Sequence, residues 1–414
     1  MSFNPFKEKP IKMEKTFEDW SKLYPKSYNK EDVDPYTKTR IILMNGTEFE
    51  SVWFGHQFNR HCDNNDIRRQ IALIRRNEQQ QQKKISSLKP INESILETTI
   101  SYEQLAIDLT VALAKNEKDK NVKNALDFAL LEDFDHLYRF ANLLEMDEGI
   151  GAKKLVGGYT EITPGRPTIA EHRCAFDDVK NHINNKKANP LTKLNASIIT
   201  AAEQQTMNFY MNVGQFYKND IGRKLFAEIA MIEEQHVTQY GSLMDTNCTW
   251  LESLLEHEYT ECYLYYSCLM TETDERIKKI WDRCLVQEIA HLNIAKDLLQ
   301  KYEGKSFEQV IPVQEFPELV NIGTNKEYVR KVLKNTVCLT SKHEDYVKVS
   351  SLPKDYEFFN YQNIVNKNVE KVPSHAVINE YLKNNKEDYR YEDKPNPIKE
   401  LNDRTKDNTT VGRK

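Results

Sequence analysis

The sequence predicts an all-α fold, a helical bundle built from three helical hairpins within residues 95–303. Two observations predict it. Apolar residues recur three and four positions apart over long stretches, such as LFAEIAMIEEQHVTQY at 225–240, and this spacing places them on one face of a helix. Acidic residues recur in the same region at a fixed offset, with a turn signal halfway between each pair. Extensions are predicted at both ends of this bundle.

The N-terminal extension, residues 1–94, is predicted to be a small α+β segment. The stretch RIILMNGTEFESVWF at 40–54 places Asn45 and Gly46 between two strand-like runs, which is a signal for a β-hairpin. A helix is predicted to follow at about 63–85, where Ile67, Ile71 and Ile74 share one face. This extension is expected to pack beside the bundle.

The three hairpins are predicted from an offset of 30 residues between acids. This offset separates Glu103 from Asp133, Glu203 from Glu233, and Glu258 from Glu288. Polar turn signals lie midway, at 116–121, 217–222 and 271–276. Each arm is therefore about 15 residues long, roughly 22 Å at the helical rise. In such a hairpin the first acid and the later acid stand at the same height.

Each second arm carries a histidine three residues after its acid, on an otherwise apolar face. The pairs are Asp133 with His136, Glu233 with His236, and Glu288 with His291. An ionised carboxylate on a buried face is costly unless a partner compensates its charge. One such pair alone is most simply a carboxylate and a histidine that satisfy each other. Three repeats, each with an acid at the same height, favour a metal site instead.

The ligand types and their spacing are those of a dinuclear carboxylate centre. Such bundles take one Glu from each of two helices and Glu-x-x-His from each of the other two. Carboxylates bridge and neutralise the ions, and imidazole suits iron or manganese. The second and third hairpins each supply a complete half-site, and the first hairpin is a weaker copy because Asp133 replaces Glu.

These motifs resemble the ferritin-like, rubrerythrin-related di-iron carboxylate family, over roughly residues 95–303. The resemblance implies a ferritin-like bundle, two iron ions with manganese as the alternative, and chemistry with peroxide or dioxygen. Glu261 shares a face with Glu258, one turn away, and is an additional candidate as a ligand or a supporting group. The candidate ligands are therefore Glu103, Asp133, His136, Glu203, Glu233, His236, Glu258, Glu261, Glu288 and His291.

Two departures from the family pattern affect the prediction. No two of the seven cysteines stand in Cys-x-x-Cys spacing, so the chain lacks the rubredoxin-like iron site of rubrerythrins and needs an external electron donor. The third hairpin is also one more than a bundle requires. The ligand sets favour pairing the second and third hairpins. The long crossover at 146–194 favours pairing the first and second, since ferritin-like bundles need one long connection.

The function that this pattern favours is a peroxidase or oxidase reaction at a non-haem di-iron site. A di-iron hydroxylase of an organic substrate is an alternative, and it would need an apolar pocket beside the metals. A non-catalytic bundle that binds metal or serves a structural role is the second alternative. Tyr210, Tyr240, Tyr265 and Tyr266 lie near the acids at helical spacing and are expected to be core residues.

Composition limits the partners and the compartment. The net charge of −5 lacks a large block of one sign, so no nucleic-acid partner is expected. No apolar run is long enough to span a bilayer, and the odd number of scattered cysteines argues against a disulfide framework. A soluble cytoplasmic protein is the expectation, with a homodimer as one option for its oligomeric state.

The C-terminal third is predicted to be less regular. Residues 304–385 lack a long helical pattern, and short helices are expected near 325–335 and 374–384. The tail at 386–414 is rich in Lys, Asp and Asn with few apolar groups, a composition typical of disorder.

Overall fold

The computed structural model describes residues 3–166, 168–385 and 394–399, and it is mostly helical. The predicted all-α class is therefore confirmed, while the disordered tail predicted at 386–414 falls largely outside the described residues. A single two-stranded antiparallel sheet is found in the described part of the chain. The helices and strands are α1 (Trp20–Leu23), α2 (Pro35–His61), α3 (Asn65–Ser86), α4 (Ile95–Asn116), α5 (Lys120–Glu148), α6 (Ala152–Leu155), α7 (Thr168–Glu171), α8 (Pro190–Val213), α9 (Asp220–Gly241), α10 (Trp250–Thr271), α11 (Glu275–Glu303), α12 (Lys326–Thr336), β1 (Leu339–Lys342), β2 (Asp345–Lys348), α13 (Glu357–Val365) and α14 (Pro373–Asn384).

Two compact units make up the described chain, and each draws on separate segments. Unit 1 comprises residues 3–92, 182–205 and 244–321. Unit 2 comprises 93–166, 168–181, 206–243, 322–385 and 394–399. These boundaries differ from the predicted extension at 1–94 and bundle at 95–303, because α2 and α3 belong to the same unit as α10 and α11. Helix α8 contributes residues to both units.

Unit 1 is built from two helical hairpins, α2–α3 and α10–α11. Helix α10 packs on α2, and α11 packs on α3. Thr249 and Glu252 form a capping box at the start of α10, and Gly304 ends α11 in the left-handed conformation, with φ of 66°. The α4–α5 hairpin of unit 2 has the same end structures. Ser94 and Glu97 form a capping box at the start of α4, and Gly149 ends α5 in the left-handed conformation.

The β-hairpin predicted at 40–54 is wrong, because the whole stretch lies inside α2. Asp34 caps this helix and Pro35 occupies its first turn, both of which favour a helix start. Asn45 donates a hydrogen bond to Gln205 of α8 (2.6 Å), and a Cβ atom on Gly46 would lie 2.5 Å from the Gln205 amide nitrogen. The Asn-Gly pair therefore allows two helices to approach closely, and a tertiary contact overrides the local turn preference.

Unit 2 is centred on the α4–α5 hairpin. Helix α9 packs on α5, and α14 packs on both α5 and α9. Helices α12 and α14 lie where the sequence predicts short helices, near 325–335 and 374–384. The connection between α5 and α8 brings two buried arginines, Arg166 and Arg173, into the interior of this unit. The β1–β2 hairpin follows α12 and was not predicted.

Candidate metal centres

Unit 2 brings three acids and two histidines together in its interior. They come from α4 (Glu103), α5 (Asp133 and His136) and α9 (Glu233 and His236), and each is at most 1% exposed. Glu103, His136 and Glu233 offer ligand atoms within 4.8 Å of one another, and so do Asp133, Glu233 and His236. Glu233 belongs to both groups, so one carboxylate is shared between them.

Both histidines of unit 2 turn the same ring atom toward these acids. The Nδ1 atom of His136 lies 3.0 Å from one oxygen of Glu233, and that of His236 lies 3.2 Å from the other. His236 Nδ1 is also 3.2 Å from Asp133. The opposite nitrogen of His236, Nε2, lies 2.8 Å from Glu132, whose carboxylate can only accept a hydrogen bond. A proton on Nε2 satisfies this contact, and in that tautomer Nδ1 is the atom that a metal ion would bind.

Glu132 is held in its charged form by two arginines. Arg166 Nε lies 3.0 Å from this carboxylate, and Arg173 makes a paired contact with it. Burial alone would raise the pKa of Glu132, but the charge of Arg173, the hydrogen bond from His236 and the charge of Arg166 lower it to about 2. A charged Glu132 fixes the orientation of the His236 ring.

Glu103 has a different environment. Tyr210 donates a hydrogen bond to one of its oxygens (2.5 Å), and the other oxygen accepts none from the described residues. Burial raises the pKa of Glu103 well above its usual range, and the neighbouring negative charges of Glu233 and Asp133 add to that effect. A cation at this position would remove the cost of keeping the carboxylate charged.

Unit 1 contains a second cluster, which includes four of the predicted residues. Glu78, Glu258 and His291 offer ligand atoms within 4.8 Å of one another, as do Glu258, Glu261 and Glu288. All five residues are buried, and Glu258 belongs to both groups. Glu258 in unit 1 therefore has the place that Glu233 has in unit 2.

His291 repeats the arrangement of His236. Its Nδ1 atom lies 3.0 Å from Glu288 and 3.7 Å from Glu258. Its Nε2 atom lies 2.9 Å from the side-chain oxygen of Asn77, and the amide nitrogen of Asn77 donates to the backbone oxygen of Thr16 (3.2 Å). Because the Asn77 amide is oriented by Thr16, Nε2 of His291 must carry the proton. Nδ1 is again the atom available to a metal ion.

The acids of unit 1 have unusually few compensating partners. Neither oxygen of Glu258 or of Glu261 accepts a hydrogen bond from an N–H or O–H group of the described residues. Burial and the neighbouring carboxylates raise the pKa of both residues well above the usual range. Buried carboxylates without donors are expensive, and bound cations would compensate them. The donor set therefore fits divalent metal ions.

Two acids of the unit 1 cluster were not predicted from the sequence. Glu78 belongs to a ligand group, and Glu48 of α2 accepts a hydrogen bond from Tyr265 and is fully buried. Gln81 stands three residues after Glu78, in the histidine position of the motif, and donates to Glu288. The signal was present, because Glu48 precedes Glu78 by 30 residues. This pair of acids was missed because Gln81 stands where the motif has a histidine and because Asn45-Gly46 was taken for a turn.

The structure places the ligand candidates from five of the six helices of the three predicted hairpins. Glu233 and His236 lie with residues of α4 and α5, as the long crossover favours. Glu288 and His291 lie in unit 1, where α10–α11 packs with α2–α3. Of the two alternatives that the sequence leaves open, the structure thus places Glu233 and His236 with the first hairpin. Glu203 is buried on α8, and its role as a ligand stays a prediction.

A largely apolar cavity of about 220 Å³ lies in unit 1, close to the acids. His257 and Phe54 form part of its wall, with their rings stacked at a centroid distance of 5.1 Å. His257 Nε2 lies 3.8 Å from Glu261. A much smaller space of about 10 Å³, the size of one water molecule, also contacts Phe54 and reaches Glu78 and Glu258.

Comparisons of the chain with protein-family models, curated proteins and solved structures give no match. Among the described residues, no helix combines the length and apolar character that crossing a membrane requires. Fold and site together define a helical protein with buried clusters of carboxylates and histidines that could hold metal ions.

Proposed function

We propose that this chain is a metalloprotein with a dinuclear centre in each unit, and that it is a non-haem di-iron oxidoreductase acting on peroxide or dioxygen. The observation that carries the proposal is the shared orientation of His236 and His291. In both, Nδ1 faces a cluster of carboxylates while an outer group holds Nε2, which is how metal-binding histidines are oriented. Manganese is the alternative metal for the same donor set.

In unit 2, Glu233 would be the carboxylate that both ligand groups share. Glu103 and His136 would help to hold one ion, and Asp133 and His236 would help to hold the other. Each ion would thus have one histidine and one further acid, in addition to the shared carboxylate.

In unit 1, Glu258 would be the shared carboxylate. Glu78 and His291 would help to hold one ion, and Glu261 and Glu288 would help to hold the other. This centre has one histidine and more carboxylates, because Gln81 replaces the second histidine. Glu48, held by Tyr265, is the remaining nearby acid. An excess of carboxylates stabilises the higher charge of oxidised ions, so we expect the two centres to differ in reduction potential.

A pair of ferrous ions, when bound, supplies electrons for the reduction of peroxide or dioxygen. The protein contributes several separate functions. Glu132 and its arginines fix the ring of His236, and Tyr210 orients Glu103 and offers a proton at its hydroxyl group. The buried setting excludes bulk water from the acids. Electrons must come from an external donor, since no Cys-x-x-Cys iron site is encoded in the sequence.

Metal content after anaerobic reconstitution with ferrous iron tests the proposal. We expect about four irons per chain, two for each centre. His236→Ala and His136→Ala should each lower the iron content of unit 2 and leave that of unit 1 in place. His343→Asn is the matched control, because His343 is an exposed residue with positive φ, which Asn tolerates. Unchanged iron in both alanine variants would refute the ligand assignment.

Turnover of hydrogen peroxide with an artificial reductant then separates an enzyme from a protein that only binds metal. We expect turnover by the iron-loaded protein and its loss in His236→Ala. Full iron content without consumption of peroxide or dioxygen would support metal binding but refute the proposed oxidoreductase activity. Iron content well below about one ion per chain would favour the structural alternative over both.

A further inference from the structure

We propose that the 220 Å³ cavity of unit 1 binds a small, mainly apolar organic molecule with one hydrogen-bond-donating group, such as a phenol, next to the unit 1 metal centre. The proposal that a ligand binds depends only on the cavity. The proposal that the bound ligand is a substrate rests on the proposed metal centre. This inference gives the unit 1 centre an organic substrate class.

The size of the cavity limits the ligand. Pockets for drug-sized molecules measure about 300–1,000 Å³. At about 220 Å³, this cavity accommodates a molecule of the size of a substituted benzene ring. Its apolar lining includes Ile183, Leu194 and Ile311, which favour the burial of an apolar ring.

Charge determines the polar group of the ligand. Glu50, Glu256 and Asp245 contribute three carboxylates to the lining, against two lysines, Lys186 and Lys193. Lys193 is already paired with Glu256, at 2.8 Å. Glu50 lies 3.4 Å from His257 Nδ1 and is positioned to accept a hydrogen bond from a ligand. A hydroxyl group is therefore favoured, and a carboxylate on the ligand is disfavoured by repulsion.

A thin wall separates the cavity from the acids. The stacked rings of Phe54 and His257 form this wall, and His257 faces Glu50 on one side and Glu261 on the other. Phe54 also lines the small space beside Glu78 and Glu258. The Phe54 ring therefore lies between the cavity and the small space beside the predicted metal ligands.

Binding is tested by ¹⁹F NMR with 4-fluorophenol and with 4-fluorobenzoate. We expect the phenol to bind and the benzoate to bind more weakly. Ser197→Met fills the cavity and should weaken phenol binding by about tenfold or more, whereas Ser86→Met, on α3 and outside the cavity, should not. Glu50→Gln should reduce the preference for the phenol over the benzoate. Absence of binding, or binding that Ser197→Met does not weaken, overturns the proposal.

Proximity to the metal is tested with the same probe on Mn²⁺-loaded protein, with Zn²⁺ as the diamagnetic control. Unpaired electrons of Mn²⁺ should broaden the resonance of the bound phenol. His291→Ala should remove this broadening, and His236→Ala should leave it. Retained Mn²⁺ without broadening overturns the placement beside the metal centre. Failure of the unsubstituted protein and of both variants to retain Mn²⁺ would refute the proposed function. The binding measurements with 4-fluorophenol would still show whether the cavity binds a ligand.

Discussion

Replacement of Glu261 by glutamine should change the stability of unit 1 in opposite directions with and without metal. Glu261 lies in a group with Glu258 and Glu288 whose ligand atoms are within 4.8 Å of one another. Without metal, no N–H or O–H group among the described residues donates to its oxygens. A neutral amide removes one buried acid and supplies an N–H group that can donate to Glu288.

The magnitude follows from the spacing. Two ionised carboxylates 4.8 Å apart repel by about 3.5 kcal/mol at an effective dielectric constant of 20. Burial, and after it this repulsion, raises the pKa of Glu261, so the metal-free cluster binds protons that relieve part of the repulsion. We therefore expect Glu261→Gln to stabilise the metal-free protein by roughly 1–3 kcal/mol. With metal bound, the same change removes a ligand and should lower the free energy of unfolding.

Urea denaturation followed by tryptophan fluorescence is a suitable assay, because all four tryptophans, Trp20, Trp53, Trp250 and Trp281, belong to unit 1. Measurements with a chelator and with Mn²⁺ give the two signs. Glu31→Gln, at an exposed position, is the control and should change neither value by more than about 0.5 kcal/mol. Destabilisation of the metal-free protein by Glu261→Gln would refute the reasoning that its charge is uncompensated.

Two further predictions concern the packing of each unit. Gly46→Ala should destabilise unit 1 by about 1–3 kcal/mol in the same urea assay, because the new Cβ would displace Gln205. Gly55→Ala, on the same helix, meets no atom closer than 3.5 Å and should have little effect. Burial alone would raise the pKa of Glu228, but His172 and Ser374 lower it below 4.5. Its charged form therefore stabilises unit 2 above pH 4.5, and that stability is lost as the pH falls through the lowered pKa. We expect the backbone amides of α14 to exchange hydrogen faster in acid in the unsubstituted protein but not in Glu228→Gln. The same pH dependence of exchange in both proteins would refute this role of Glu228.

The sequence by itself determined the features of this protein that depend on residues close together in the chain. Helical periodicity and the offset of 30 residues are properties of neighbouring residues, since a helix places positions three and four apart on one face. They were sufficient to predict the helices from α4 onward in the bundle, the carboxylate–histidine pairs and their burial. The prediction failed at 40–54, where Asn45 and Gly46 have the composition of a turn but serve a contact with Gln205.

Only the tertiary structure decided which hairpins share an interior. Any two apolar helix faces can bury each other, so the choice depends on contacts between residues far apart in sequence, such as Glu78 with Glu258 and Asp133 with His236. The structure also showed that Glu78 belongs to the unit 1 cluster and that an apolar cavity lies close to it. A cavity is the space that packed side chains leave open, and no local pattern in the sequence specifies it.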